Sequence, residues 1–172
     1  KEHIIDDSSI GPPDLAGSDG LVMADLDKDG YLDIISVHEL DTEYGFPEGY
    51  VRIAWGSQDP LTWISTTLAS GSQVPSAEDV DVADADGDGW LDIVVACELA
   101  HLVYFKNPTK NHREVRWERT IPQSTLNRGS FIRVFFSDLD DDGKVEVITA
   151  NKGGENATGS NSPLKNVSFY KL

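Results

Sequence analysis

The chain has one cysteine, one methionine and 14 basic residues against 30 acidic ones, and each shortage excludes something. A lone Cys97 cannot form an internal disulfide, so it leaves the redox compartment open. The acid excess gives a formal net charge of -16. A field of that sign repels phosphate and argues against nucleic acid or an anionic membrane as partner. No apolar run reaches the roughly 18 residues that a membrane-spanning helix needs. No secretory leader is visible at Lys1, so an exported form would have had its leader removed. Also missing are a GxSxG elbow, a glycine-rich phosphate cradle opening a helix, and any paired-cysteine zinc site, which weakens an enzymatic reading. Sustained helical periodicity is absent as well.

What the chain has instead is repetition. Three segments are near copies of one another: ADLDKDGYLDI from Ala24, ADADGDGWLDI from Ala83 and SDLDDDGKVEV from Ser137. Each carries acids at the first, third, fifth and ninth positions and glycine at the sixth. The first positions, Asp25, Asp84 and Asp138, stand 59 and then 54 residues apart, near the size of a four-stranded propeller blade. A short apolar stretch precedes each copy (LVMAD, VDVAD, IRVFFSD) and another follows it (LDIISV, LDIVVA, VEVITA), which predicts a hairpin around an acidic turn. Third strands are predicted at VRIAWG, HLVYFKN and NVSFYKL, and fourth strands at TWISTTLA and RWERTIP. KEHIID at the amino terminus resembles these fourth strands. The expected fold is all-β: three four-stranded blade equivalents over approximately 20–69, 79–122 and 130–172, forming one repeat region from 1 to 172. Residues 1–6 would then complete an end blade. Three blades are fewer than the four to eight of a closed ring, so the chain is expected to belong to a larger or oligomeric propeller, with unpaired blade edges open to self-association.

The acidic turns offer only oxygen, which suits calcium better than zinc. Expected ligands in the first turn are Asp25, Asp27, Asp29 and Asp33, with the backbone of Tyr31. In the second they are Asp84, Asp86, Asp88 and Asp92, with the backbone of Trp90; in the third, Asp138, Asp140, Asp142 and Glu146, with the backbone of Lys144. Gly30, Gly89 and Gly143 allow the tight bend. An EF-hand is excluded, because its twelfth-position glutamate is replaced by Ser36, Val95 and Thr149 and its flanking helices are missing. Two to three ions are expected, the third turn departing from the pattern through Glu146 and an extra carboxylate, Asp141. Twelve of the 30 acids lie in these turns, so three divalent ions would bring the formal charge from -16 to -10.

Taken with their strand-turn-strand setting, these segments resemble FG-GAP and VCBS-type repeats, the calcium-bearing blades also found in integrin α-chain propellers and many secreted microbial proteins. The resemblance implies a propeller, structural calcium and an extracellular or cell-surface location. It leaves function open, since such repeats serve adhesion, carbohydrate binding and polysaccharide lyases alike. The reading favoured here is a secreted calcium-stabilised module for binding, adhesion or assembly, with a glycan or extracellular protein as partner. The alternatives are part of a propeller-fold polysaccharide lyase and a self-assembling subunit of an extracellular filament. No catalytic residue is assigned.

Other candidates lie outside the turns. His38, Cys97 and Asn151, followed by Glu39, Glu98 and Lys152, recur at the ends of the second strands, and with His101 they suggest a polar pocket. Cys97, in the apolar strand LDIVVACE, reads as a packing residue rather than a nucleophile. Trp55, Trp63, Trp90 and Trp117 read as packing between blades. Asp41 to Tyr50 is the favoured binding loop, and Lys152 to Lys165 reads as an excursion between strands. Asn156 and Asn166 open glycosylation acceptor triplets.

Overall fold

The computed structural model describes residues 2–5, 18–40, 48–98, 100–126, 128–153 and 166–171. Among these residues there are eleven strands and no helix. The first sheet holds β1 (Ser18–Ala24), β2 (Asp33–Leu40), β3 (Glu48–Trp55) and β4 (Ile64–Gly71) in that spatial order. The second repeats it with β5 (Ala77–Ala83), β6 (Asp92–Cys97), β7 (Leu102–Lys106) and the short β8 (Glu118–Thr120). In the third, β10 (Glu146–Asn151) lies between β9 (Phe131–Ser137) and β11 (Asn166–Tyr170). All pairings are antiparallel, so each sheet is a meander with the shape of a propeller blade. Residues 2–5 lie outside any strand, and the described part of the amino terminus adds nothing to the third sheet. Residues 41–47 of the favoured binding loop and 154–165 of the second excursion, with Asn156, lie outside the described residues. Asn166 opens β11 opposite Asn151.

The repeat in the sequence becomes a repeat in register. Each inner hairpin ends on the pair that joins the residue before the acidic turn to its ninth-position acid: Ala24 with Asp33, Ala83 with Asp92 and Ser137 with Glu146. At the other end of each inner strand the register slips by one, leaving Asp19, Glu78 and Ile132 as the extra residues. A bulge at the same place three times bends the strand and redirects one side chain in every blade.

Two cores run between the sheets. Ile35, Ile53 and Trp55 of the first sheet meet Val80, Ile93, Val95 and Phe105 of the second. Val94, Ala96 and Leu102, on the opposite face of the second sheet, meet Phe131, Val134 and Val147 of the third. β6 is therefore buried at every position, which explains why its sequence runs apolar without alternation. β1 alternates instead, because a sheet covers only one of its faces.

Backbones approach closely where the first two sheets meet. A Cβ on Gly20 would stand 2.7 Å from Cα of Asp79, and one on Gly49 would stand 2.2 Å from the Val74 carbonyl oxygen. Neither neighbour is a flexible side-chain tip that could move aside. Gly49→Ala is therefore expected to cost about 1–3 kcal/mol, the range for forced overpacking. The midpoint of urea unfolding checks this, and an unchanged midpoint would show that the contact is looser than described.

Candidate metal centre

Each acidic turn is wound by its own side chains. The first-position Asp25 accepts hydrogen bonds from the N–H groups of Asp29 (3.1 Å) and Gly30 (3.0 Å), and Asp138 does the same for Asp142 (3.1 Å) and Gly143 (2.9 Å). Asp84 accepts from Gly89 (2.9 Å), while Asp88 N–H turns to Asp86 instead (3.1 Å). At the fifth position Asp29, Asp88 and Asp142 accept from the N–H of Tyr31 (2.9 Å), Trp90 (3.0 Å) and Lys144 (2.9 Å). Gly30, Gly89 and Gly143 have φ values of 91°, 89° and 83°, the left-handed region where a side chain strains the backbone. The fourth position adopts it too: Lys28 at 58°, Gly87 at 77° and Asp141 at 57°. Nothing in the composition of that position marks it, since only one of the three is glycine.

The ninth-position acids behave differently from the rest. Asp33 is fully buried and accepts N–H bonds from Leu26 and Gly56, both at 2.9 Å. Asp92 accepts from Ala85 (3.3 Å), Asn107 (2.8 Å) and the Tyr104 hydroxyl (2.6 Å), and Glu146 accepts from Leu139 (2.9 Å). These acids tie the turn to the strands below it. Burial pushes the Asp33 carboxyl up to about 6, against the lowering effect of its two N–H donors. Asp92 is also raised, by burial first, with its Tyr104 and backbone bonds working in the opposite direction.

Three oxygens of each turn converge. Asp25, Asp27 and Asp29 place ligand atoms within 4.8 Å of one another, as do Asp84, Asp86 and Asp88, and Asp138, Asp140 and Glu146. Asp33 and Asp92 stand outside these groups, occupied with backbone donors, and in the third turn Asp142 is replaced in the group by the longer Glu146. In the first two turns one buried carboxylate oxygen has no hydrogen-bond donor, Asp27 Oδ1 and Asp84 Oδ1, whereas in the third the buried Glu146 Oε1 faces the Lys171 ammonium. A buried oxygen lacking a donor is costly, and a hard cation is the partner that a carboxylate cluster can accept. The residues present therefore fit calcium.

Sequence reasoning missed the basic residues that reach these turns. Arg113 bonds Asp27 (2.7 Å) and Asp29 (2.8 Å) and lies over the Trp55 ring. Lys106 pairs with Asp86 and Asp88, while Lys171 lies 3.0 Å from Asp140 and 3.1 Å from Glu146 Oε1. Lys106 closes β7 and Lys171 follows β11, so both come from the third strand of their own blade. Arg113 crosses over from the second blade to the first. Asn107, fully buried, donates to the carbonyls of Leu26 (3.0 Å) and Leu91 (3.1 Å) and so bolts two acidic turns together.

The other candidates are mostly interior. His38, Cys97 and Asn151 are buried. His38 contacts Ser36 at 3.0 Å, and burial pushes the Cys97 thiol far up. Burial lowers His101, with Arg119 adding to the effect. Trp55 and Trp117 lie in the core between the first two sheets, and Trp90 lies against His112 with ring centres 4.6 Å apart. Trp63, half-buried, bonds the Pro60 carbonyl at 3.1 Å.

The FG-GAP-like repeat family matches residues 38–95, from the end of β2 through the second acidic turn into β6. This stretch is an FG-GAP-type repeat. The matched stretch is almost one repeat long and takes the outer strands of one blade with the inner hairpin of the next, as a circular offset of the FG-GAP-type unit. No curated protein matches the chain.

In these repeats the ninth-position acid should matter even without metal. Asp33→Ala removes the acceptor of two buried N–H groups and is expected to cost about 2 kcal/mol or more, at 1–3 kcal/mol for each unsatisfied group. Urea unfolding in excess chelator measures this. A loss seen only with calcium present would make Asp33 chiefly a metal ligand.

Proposed function

We propose that the chain is a secreted, calcium-stabilised propeller-blade module for binding, with a glycan or another extracellular protein as its ligand. The observation that carries the calcium part is the donorless buried oxygen in each of the first two acidic turns, at Asp27 and Asp84. The triads around Asp25, Asp84 and Asp138 would hold the ion, and the ninth-position acids would pass its constraint into the strands. Calcium supplies charge neutralisation there, and metal bound only by the folded chain adds to folding stability.

An open groove of about 920 Å³ between the second and third acidic turns supports the binding part. Asp86, Tyr104, Lys106, Gln123, Lys144 and Lys171 are among the residues that line it. Hydroxyl, amide, ammonium and carboxylate groups around one aromatic ring suit a polyhydroxylated or acidic ligand. His38, Cys97 and His101 are not among the lining residues, so this groove is not the polar pocket suggested by the strand ends. No helix among the described residues is long and apolar enough to cross a membrane.

Removal of metal should lower the melting temperature and calcium should restore it, each site contributing on the order of 2.7 kcal/mol at a hundredfold excess over Kd. Differential scanning calorimetry reads this, and an unchanged melting temperature after verified metal removal would refute the structural role of calcium. A glycan array with calcium present tests the ligand class. Release of unsaturated sugar products by the purified chain would favour the lyase instead.

A second reading, assembly, rests on the outer faces of the end blades. Leu21 stands at the position of Val80, 59 residues on; Val80 is 5% exposed against the first sheet, whereas Leu21 is 61% exposed. Val167 occupies the place of Leu102, pairing with Ala150 as Leu102 pairs with Ala96, yet it is 75% exposed where Leu102 is fully buried. Phe135 and Phe169 are exposed beside it. Both faces have the chemistry of a blade contact without the blade. Sedimentation velocity should show concentration-dependent association that Leu21→Asp or Val167→Asp abolishes; a monomer at all concentrations would refute self-association of this chain.

A further inference from the structure

We infer, on the calcium and groove readings proposed above, that calcium in the second and third turns displaces Lys106 and Lys171 into the groove, where they bind a uronic-acid-bearing glycan. Binding of that ligand then depends on calcium. Lys106 closes β7, and Lys171 stands in the same place one blade on, since Val167 pairs with Ala150 as Leu102 pairs with Ala96. Both lysines line the groove. Each sets its ammonium on the third- and fifth-position acids of its own turn, Lys106 on Asp86 and Asp88 (3.4 Å), Lys171 on Asp140 (3.0 Å) and Asp142 (3.4 Å).

The pairing recurs in every blade. In the first, the equivalent register of Val37 with Val51 puts Trp55 where the other two have lysine. Arg113 supplies the cation instead, passing 5.1 Å from the Trp55 ring centre to reach the third- and fifth-position acids Asp27 and Asp29. Each turn thus has a basic side chain on the same two positions. Those positions supply oxygens of the triads, so calcium and the basic side chain compete for them. In the third turn the overlap extends to Glu146, whose Oε1 lies 3.1 Å from the Lys171 ammonium. An ion held there repels an ammonium at the same place. Lys106 and Lys171 are free to leave, because their side chains are 39% and 57% exposed and each carries a point charge on a flexible stem.

Displaced ammonium groups attract an anion. Asp84, Asp86 and Asp142 face the same groove and would repel an acidic ligand unless calcium cancelled their charge. Calcium therefore acts twice, by freeing the cations and by masking the acids. Thr120, Gln123 and Ser124 add neutral hydroxyl and amide groups to the wall. An oligomer of sugar acids matches both kinds of group, with carboxylates for the two lysines and ring hydroxyls for the neutral side chains. Linkage makes the effect reciprocal, so the bound oligomer should tighten calcium by the same factor.

Calorimetric titration of calcium into chelator-treated protein tests the displacement. Lys106→Met and Lys171→Met should each tighten one site by up to about fivefold, the effect of removing one exposed ion pair. Lys152→Met removes the same charge beside Glu98, at the strand ends away from the turns, and should not. Calcium should also shift the Cε–H NMR signals of Lys106 and Lys171 in the unaltered protein, a readout that needs no variant. Unchanged calcium affinities with unmoved lysine signals would overturn the displacement. Tetragalacturonate should bind with calcium but not in excess chelator, its methyl ester should bind in neither, and the double variant Lys106→Met, Lys171→Met should keep calcium and lose the tetramer. Tetramer binding in chelator or by the double variant, or none by the calcium-loaded protein, would overturn the assignment of the ligand. Equal binding of tetraglutamate would replace the glycan by an acidic peptide. A protein that takes up no calcium at all would refute the calcium reading itself, and this inference with it.

Discussion

The structure depends on finding partners for twelve carboxylates crowded into three tight turns. Each turn divides its acids by task. The first- and fifth-position acids wind the turn by accepting its own N–H groups, and the ninth-position acid is spent on the strands below. What remains is a triad, in the first two turns with one buried oxygen still unpaired. Like charges this close favour opening of the turn unless a cation intervenes. Arg113, Lys106 and Lys171 meet part of that demand, and a metal ion would meet the rest.

The same electrostatic requirement extends to the contacts between blades. At the first contact the backbones come close enough to exclude any side chain at Gly20. At the second, Asp79 and Asp81 reach across to accept the N–H groups of Val134 (2.9 Å) and Phe136 (2.7 Å). Blades that are equivalent in register are therefore joined by different chemistry. One interface is dominated by close apolar packing, the other uses acid to satisfy a strand edge that would otherwise be open. Asn107 adds a fixed bolt between the first two turns, so strain at one turn is shared with its neighbour.

This division separates scaffold from candidate binding surface. Polar residues at the ends of the second strands, which looked in the sequence like a pocket, are turned into the interior, with His38 beside Ser36 and Cys97 in the core. The groove opens instead at the other end of the blades, among residues of the second and third acidic turns, β7, the end of β8 with the stretch after it, and Lys171. Two of its lysines, Lys106 and Lys171, are also partners of the acidic triads, so ligand and metal would act on the same side chains.

The triplicated acidic turn, the strands around it and the all-β class were legible in the chain, because a period of two, a glycine at a forced bend and a fixed spacing of acids are local requirements. The tertiary structure alone decided which acids are left facing one another. That choice depends on the register that brings Leu26 and Gly56 onto Asp33, on Arg113 and Lys106 arriving from elsewhere, and on bulges that aim Asp19 and Glu78 at Glu39. Spacing along a chain can show that carboxylates lie close, but their partners are set by groups that only packing brings within hydrogen-bond distance.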